Sequence, residues 1–516
     1  MRFSRQHFHQ LFYTAGAGLL LGCLPLSHFA MGLITFLLLL NWIAEWNWRE
    51  KWERLRANRA GLIFPVLFVG LCLSLIRTDD WNAAGQQLLS NLVIFFGPLI
   101  IITSKPFSDK EMRWLYHAFM LGTLIGVVVS LAYWLTHEVR EMRNISIFID
   151  HIRFSLCIVL TIVFSVKFLV EKTERPLAVR YAYAANALLM VAYLFLAQTL
   201  TGIVILMVLV LAAIFHLVLR KHFAMRNMAI GGLLLILVVF AVNFTVITYR
   251  YFHDFDTETE SVTTSKGNPY YFANDGFIEN GHRVNDYLCR EELEEAWAMR
   301  SDSSFNTMIE ATLVRYLNSK GLHKDYDAVM SLSEKDIRNV EQKIANVEYT
   351  KPFGLKRALY QTYFSITLCR RNPQSVQGSS LMQRLEFWKA SWVLVRENWL
   401  LGVGLGDQKA ALDQQLRSTN FPVSGIHERG CHNQFLTYWL IGGVMLVAYF
   451  VFLFVYPFLG MRRRVSFVFV ALVLILFCSM LVEDTIDSQT GRLMFSILVP
   501  VMLFNEDCNK RALSED

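Results

Sequence analysis

Apolar residues in this 516-residue chain gather in long runs separated by short polar punctuation, not at the amphipathic intervals of a soluble fold. A helix of roughly 20 apolar residues crosses a bilayer. The pattern predicts twelve such spans, at 11–24, 29–44, 61–76, 87–103, 113–135, 152–170, 179–197, 201–219, 228–249, 433–459, 465–482 and 492–504. The first two are short and parted only by "PLSH", and the long apolar stretch 181–219 is divided at the polar "QTLTG". The fold class expected is all-α, a polytopic membrane protein of about twelve transmembrane helices. Residues 1–249 carry helices one to nine, 250–432 form one large loop, and 433–516 carry the last three helices and a tail.

The distribution of basic residues orients these spans, because Lys and Arg in short loops resist translocation. With the N-terminus inside, the inner segments hold 22 Lys and Arg and the short outer loops hold 4, so both termini are cytoplasmic and 250–432 lies outside. That outer segment has 22 basic against 24 acidic residues. The net charge of +6 therefore comes from the inner loops, and nucleic-acid binding has no support. A 54% hydrophobic, 18% charged composition agrees with a membrane protein. The opening residues resemble a signal peptide, and "LLGC" resembles a lipoprotein box ending at Cys23, but Leu21 suits that box poorly and a second span follows at once; an uncleaved first helix is expected. Of eight cysteines, Cys289, Cys369 and Cys431 fall in the loop; odd in number and widely spaced, they imply no disulfide framework, though one bridge stays open.

A connection of that length must be folded or disordered. Helical patterns favour folding: "CREELEEAWAMRS", "SEKDIRNVEQKIANV" with Ser333 and Asp336 at capping-box spacing, and 355–369. Only "DTETESVTTSKGNP", 256–269, reads as disordered. Residues 379–407 read as an aromatic amphipathic helix lying along the outer membrane surface, ended by Gly402, Gly404 and Gly406. Those glycines are either an ordinary helix stop or a tight turn whose amides face an anion.

Several side chains could carry chemistry. Arg384 and His432 each sit beside a helix that would hold them at the membrane surface, where Arg can grip a diphosphate and His can take a proton near neutrality. The plain alternatives are a snorkelling Arg and a helix-capping His, with Asn433 serving the helix backbone. His151 and Arg153 lie at the outer end of the sixth span, where an unpaired charge is costly; pairing with Asp150 or the acidic 483–487 loop is the structural alternative. Arg417, His427 and Arg429 form a third basic set, read mainly as a solvated face with Arg429 a possible ligand contact. The basic run "RYLNSKGLHKD", 315–325, reads as exposed helix ends. Glu483, Asp484 and Asp487 lack a His or Cys at ligand spacing, so ion pairing is expected in preference to a metal site. Cys431 reads as a bystander, not a nucleophile.

The set "QRLEFWKASWVLVRENWLLGVGLGD" followed by "HNQFLTYWLIGGV", with "HIRFSL", "EDTIDSQTG" and the twelve-span layout, resembles the O-antigen ligase and polymerase superfamily of bacterial inner membranes. The resemblance implies metal-independent, cofactor-free glycosyl transfer on the periplasmic side, from an undecaprenyl diphosphate-linked glycan to an acceptor hydroxyl, with inversion. It puts the conserved loop Arg on Arg384 and the loop His on His432, with Arg153 assisting at the diphosphate. The substrate-side set it suggests is His151, Arg153, Asn433, Gly404, Gly406 and Arg429. The leading expectation is a ligase acting on lipid A core; a polymerase and a protein O-oligosaccharyltransferase share the donor chemistry, and a transporter or flippase is the non-enzymatic alternative. One departure stands out. Many relatives carry an Arg where "QTLTG" has Leu200, so His151, Arg153 or a loop Arg must replace it. The 250–378 segment is also longer than in typical ligases.

Overall fold

The structure, a computed structural model, describes residues 5–504 except 138, 140–141, 172–175, 221–222, 257–261, 352–353, 373–379, 420–429 and 460–465. Each predicted apolar run is helical: Arg5–Cys23, His28–Ala44, Ile63–Leu73, Trp81–Thr103, Asp109–Thr136, His151–Val170, Leu177–Leu196, Leu200–Arg220, Phe223–Phe252, Gln434–Leu459, Phe467–Met480 and Gln489–Phe504. Among the described residues, the sheet is confined to Ile278–Glu279 paired antiparallel with His282–Arg283.

Among the described residues, six helices are long and apolar enough to cross a membrane, or seven if His28–Ala44 and Trp48–Ala57, bent by 109°, form one span. Short helices account for part of the difference from the twelve expected. Phe467–Met480 has 14 residues; at 1.5 Å per residue it reaches about 21 Å, short of the ~30 Å hydrocarbon layer. Large apolar side chains nonetheless face outward, with Phe29 80% and Ile76 82% exposed, as suits a lipid surface.

The chain divides into two compact units, Met1–Ala213 with Gln383–Asp516, and Ile214–Met382. Packing divides the chain at 213 and 382, each earlier in sequence than the hydropathy boundaries 250 and 432. Residues 399–407 fall in the first unit because they bond to the 77–80 turn and to its Gln434–Leu459 helix.

The first unit is organised around His151–Val170, 72% of whose apolar window is buried. Arg5–Cys23 meets Asp109–Thr136 through Gly22 and Gly122, where a Cβ on Gly122 would overlap the Gly22 backbone; small residues permit this close approach. Gln434–Leu459 is interrupted at Gly442 (φ −131°, ψ 18°) and Gly443 (φ 69°, ψ −166°). Around this break, the Leu440 and Ile441 carbonyls accept from Val403 N (2.8 Å) and Gly404 N (3.1 Å), and Val444 N donates to Trp399 O (2.9 Å). Backbone groups left open in an apolar setting need such partners.

The second unit has its own core, built on Leu293, Trp297, Leu313, Tyr316, Leu317, Val329 and Val340. Arg290–Arg300, Glu334–Glu341 and Leu355–Arg371 are helical as the sequence indicates, and Ser333 and Asp336 form the expected capping box. The run 315–325 does not form free helix ends. Arg315 holds the fully buried Glu279 through two bonds of 2.8 Å, and the buried Lys324 Nζ donates to the Arg283 (2.8 Å) and Asp286 (3.1 Å) carbonyls. The disorder expected over 256–269 is corrected for Asp256 and 262–269. Asp256 accepts from His282 and Arg283 N, Thr264 and Asn268 hydrogen-bond Glu292 at 2.5 and 2.7 Å, and the polar stretch is ordered by these partners; 257–261 lie outside the described residues. Cys289, Cys369 and Cys431 are buried and not disulfide-bonded, so the one bridge left open is absent among the described residues.

Candidate functional site

Three segments of the first unit converge on one carboxylate, Glu483, in the turn between Phe467–Met480 and Gln489–Phe504. Arg384, on the Ser380–Glu397 helix, hydrogen-bonds Glu483 Oε1 through Nη2. Arg153, two residues into the His151–Val170 helix, places Nη1 3.3 Å from Glu483 Oε2 and donates from Nη2 to the Asp484 carbonyl at 3.3 Å. His432 brings Nδ1 to 3.5 Å from the same Oε2. The Glu483 side chain is 6% exposed, against 14%, 23% and 22% for Arg153, Arg384 and His432, so the anion lies under a basic surface that still reaches solvent. Burial alone would raise the Glu483 carboxyl; His432, Arg153 and Arg384 together hold it down to about 2. Glu483 is thus anionic at any working pH.

Local structure fixes each of these groups. Asp150 caps its helix by accepting from Ile152 N (2.9 Å), which sets the turn carrying Arg153. His432 has φ +53°, a left-handed conformation that costs a non-glycine residue of the order of 1 kcal/mol. It is held there from several sides: its N donates to Asp484 Oδ2 (2.8 Å), its carbonyl accepts from Trp388 Nε1 (3.1 Å), and its ring meets Phe387 edge-on at 5.2 Å. Strain retained under such determination is a mark of functional positions. Asn433 caps the next helix, its Oδ1 accepting from Phe435 N (3.0 Å) and Leu436 N (3.2 Å) and its Nδ2 donating to Leu481 O (3.0 Å). Asp484 also accepts from Thr437 Oγ1 (2.5 Å), and Ile486 N donates to Gln434 Oε1 (2.8 Å). Burial, then the neighbouring Asp487, push the Asp484 carboxyl upward.

The other expected residues fall out as follows. His151 is on the same turn as Arg153, with Nδ1 3.6 Å from the Asp150 carboxylate. Gly404 and Gly406 form a packing turn, not an anion cradle. Gly404 N is donated to Ile441 O and Gly406 N to Thr78 Oγ1 (3.3 Å), and a Cβ on either would overlap the 77–80 backbone. Gly404 has φ +100°, which explains the residue type. Arg417 pairs with Asp413 (2.9 Å) on its own helix, while His427 and Arg429 lie outside the described residues. Cys431 is fully buried and its thiol is pushed up to about 12, chiefly by burial and then by Asp484, which disfavours a thiolate nucleophile. Among the described residues, no group of three or more His, Cys, Asp or Glu is placed to hold a metal ion.

Sequence reasoning reached Arg153, Arg384 and His432 but not Glu483 as their common partner. The signal was faint: "VEDTIDSQTG" offers three acids, and only the fold says which one faces the basic groups. The arrangement offers two fixed guanidinium groups for an oxyanion and an imidazole oriented by a carboxylate.

Residues 352–451 match the family model described as O-antigen ligase. A comparison with curated proteins finds no match. The matched segment contains Arg384, the 402–406 glycine turn, His432 and the broken helix behind it. The match over residues 352–451, set among membrane-spanning helices, supports the O-antigen ligase and polymerase superfamily.

Proposed function

We propose that the protein moves a polysaccharide from an undecaprenyl diphosphate carrier to a hydroxyl of lipid A core, at the periplasmic face of a bacterial inner membrane. The observation that carries this reading is the convergence of Arg153, Arg384 and His432 on Glu483, inside a chain whose family supports an O-antigen ligase or polymerase-type role.

In the proposed reaction the acceptor oxygen attacks the anomeric carbon as the bond from that carbon to the diphosphate oxygen breaks. Negative charge grows on the leaving diphosphate, and Arg384 with Arg153 neutralises it there. Arg153 supplies the second guanidinium that Leu200 does not. His432 turns Nδ1 toward Glu483, which leaves Nε2 to receive the acceptor proton. The incoming diphosphate takes the arginines from Glu483, and single displacement inverts the anomeric centre. The chemistry asks nothing of a metal or cofactor.

A polymerase, whose acceptor is another lipid-linked repeat, and a protein O-oligosaccharyltransferase use the same donor site. The envelope glycan profile of a deletion strain separates them: bare lipid A core for the ligase, single-repeat glycan for the polymerase, unglycosylated protein for the third. Full-length core glycan in that strain excludes the ligase reading. With purified protein and lipid-linked glycan, turnover retained by both Arg384→Ala and His432→Ala would sink the mechanism and leave transport as the better account.

A further inference from the structure

The second unit contains a cavity of about 300 Å³ that the proposed reaction does not use. It lies between the end of the Phe223–Phe252 helix, the Asn280–Gly281 hairpin tip and the Leu355–Arg371 helix. That volume is at the small end of ligand sites. Its lining sets two aromatic rings, Phe255 and Tyr360, among amide, hydroxyl and charged groups. This is the mixture that meets a sugar, whose C–H faces lie on rings and whose hydroxyls need donors and acceptors.

The frame is built in advance. Asn280 (φ +59°) and Gly281 (φ +86°) turn the hairpin, and the Asn280 and Asn346 side chains exchange hydrogen bonds of 3.3 and 3.1 Å. His282 Nδ1 is fixed 2.7 Å from Asp256 Oδ1. Charge then narrows the ligand. Glu348 is shared by Lys356 (2.6 Å) and Lys351 (2.7 Å), so one carboxylate faces two ammonium groups. Arg250 forms no side-chain hydrogen bond or ion pair among the described residues. A neutral sugar would leave Arg250 unmatched, and a bare anion would have no use for the rings. Location narrows it again, because Arg250 is two residues from the end of an apolar helix, Val238–Phe252, whose Val239, Phe240 and Phe244 are exposed. A ligand held there is presented at a membrane surface.

We propose that this cavity binds a sugar bearing a phosphate or carboxylate, carried by the membrane-anchored glycan that accepts the transferred chain. The acceptor assignment rests on the transferase reading; the binding does not.

The test uses full-length protein in nanodiscs, titrated with glucuronate, glucose 6-phosphate, glucose and inorganic phosphate, with binding read by saturation-transfer NMR. Both anionic sugars bind saturably, and glucose and phosphate bind at least tenfold more weakly. Arg250→Ala or Lys356→Ala, both checked for unchanged thermal unfolding, lowers anionic-sugar binding at least tenfold, whereas Arg384→Ala does not. Equal binding of glucose, equal binding of phosphate, or undiminished binding in both variants overturns the site. Glucuronosyl diacylglycerol in the nanodisc competes more strongly than free glucuronate; equal competition overturns a membrane-carried source. In the transfer assay Arg250→Ala raises the acceptor KM and leaves the donor KM alone. An unchanged acceptor KM overturns the acceptor assignment, and does so independently of whether Arg384→Ala and His432→Ala abolish turnover.

Discussion

The Glu483 carboxylate lies 3.5 Å from His432 Nδ1 while its other oxygen holds Arg384, so the imidazole and the guanidinium are aligned by one anion. A buried charge of this kind is tolerable only because its partners surround it. The same anion therefore sets both the stability of the site and the orientation of its groups.

Replacing Glu483 by Gln destabilises the folded protein most at neutral pH. Its carboxyl is lowered from the usual 4.5 to about 2, so the ionised form contributes stability that is fully present above 4.5 and is lost as pH falls through about 2. The shift corresponds to ~3 kcal/mol at neutral pH. Thermal unfolding in detergent at pH 7 and pH 3.5 checks this: the deficit of Glu483→Gln shrinks at the lower pH, and an equal deficit at both contradicts the charge-based account.

His432→Ala and His432→Gly separate chemistry from conformation. Both lose turnover by ~10²-fold or more if the imidazole handles the acceptor proton. At φ +53° glycine is unstrained and alanine is not, so the Gly variant is the more stable by ~1 kcal/mol. Melting curves of the two purified variants give the comparison; an Ala variant as stable as Gly shows that the backbone relaxes.

Arg384→Lys does not stand in for Arg384. A lysine keeps the charge but loses the planar fork that can engage two oxygens. Turnover with lipid-linked glycan falls by ~10²-fold in Arg384→Ala, and Arg384→Lys recovers less than a tenth of the difference. Full recovery would reduce Arg384 to a point charge.

Gly430→Ala acts through Asp484. A Cβ at 430 would overlap the Asp484 carboxylate, the group that accepts from His432 N at 2.8 Å and Thr437 Oγ1 at 2.5 Å. The variant loses turnover at least tenfold while keeping the helical content of the membrane unit by circular dichroism. Wild-type activity in Gly430→Ala would mean that the Asp484 bond does not position His432.

Much of this was legible in the chain because each signal was local. Apolar runs gave the helices, Asn433 read as a cap, and Arg153 pointed to the 483–487 acids. What stayed hidden depended on contacts distant in sequence. Glu483 and Asp484 are adjacent acids of similar character, yet one meets three basic side chains and the other a backbone amide and a threonine. The glycine series at 402–406 admitted either an anion cradle or a close-packed turn, and only its amide partners decide for the turn. Polar 262–269 is poor in apolar residues, but Glu292, buried on the following helix, organises it.

The interruption at Gly442–Gly443 also fixes the order in which the molecule can assemble. Trp399, Val403 and Gly404 are synthesised before Leu440, Ile441 and Val444, the residues that complete their hydrogen bonds. The earlier segment cannot settle until the later helix has emerged, and the counter-ion for Arg384 and His432 arrives later still, with the final turn. A nascent chain stalled before residue 483 holds the basic groups without their anion, so the site comes into being only near the end of translation.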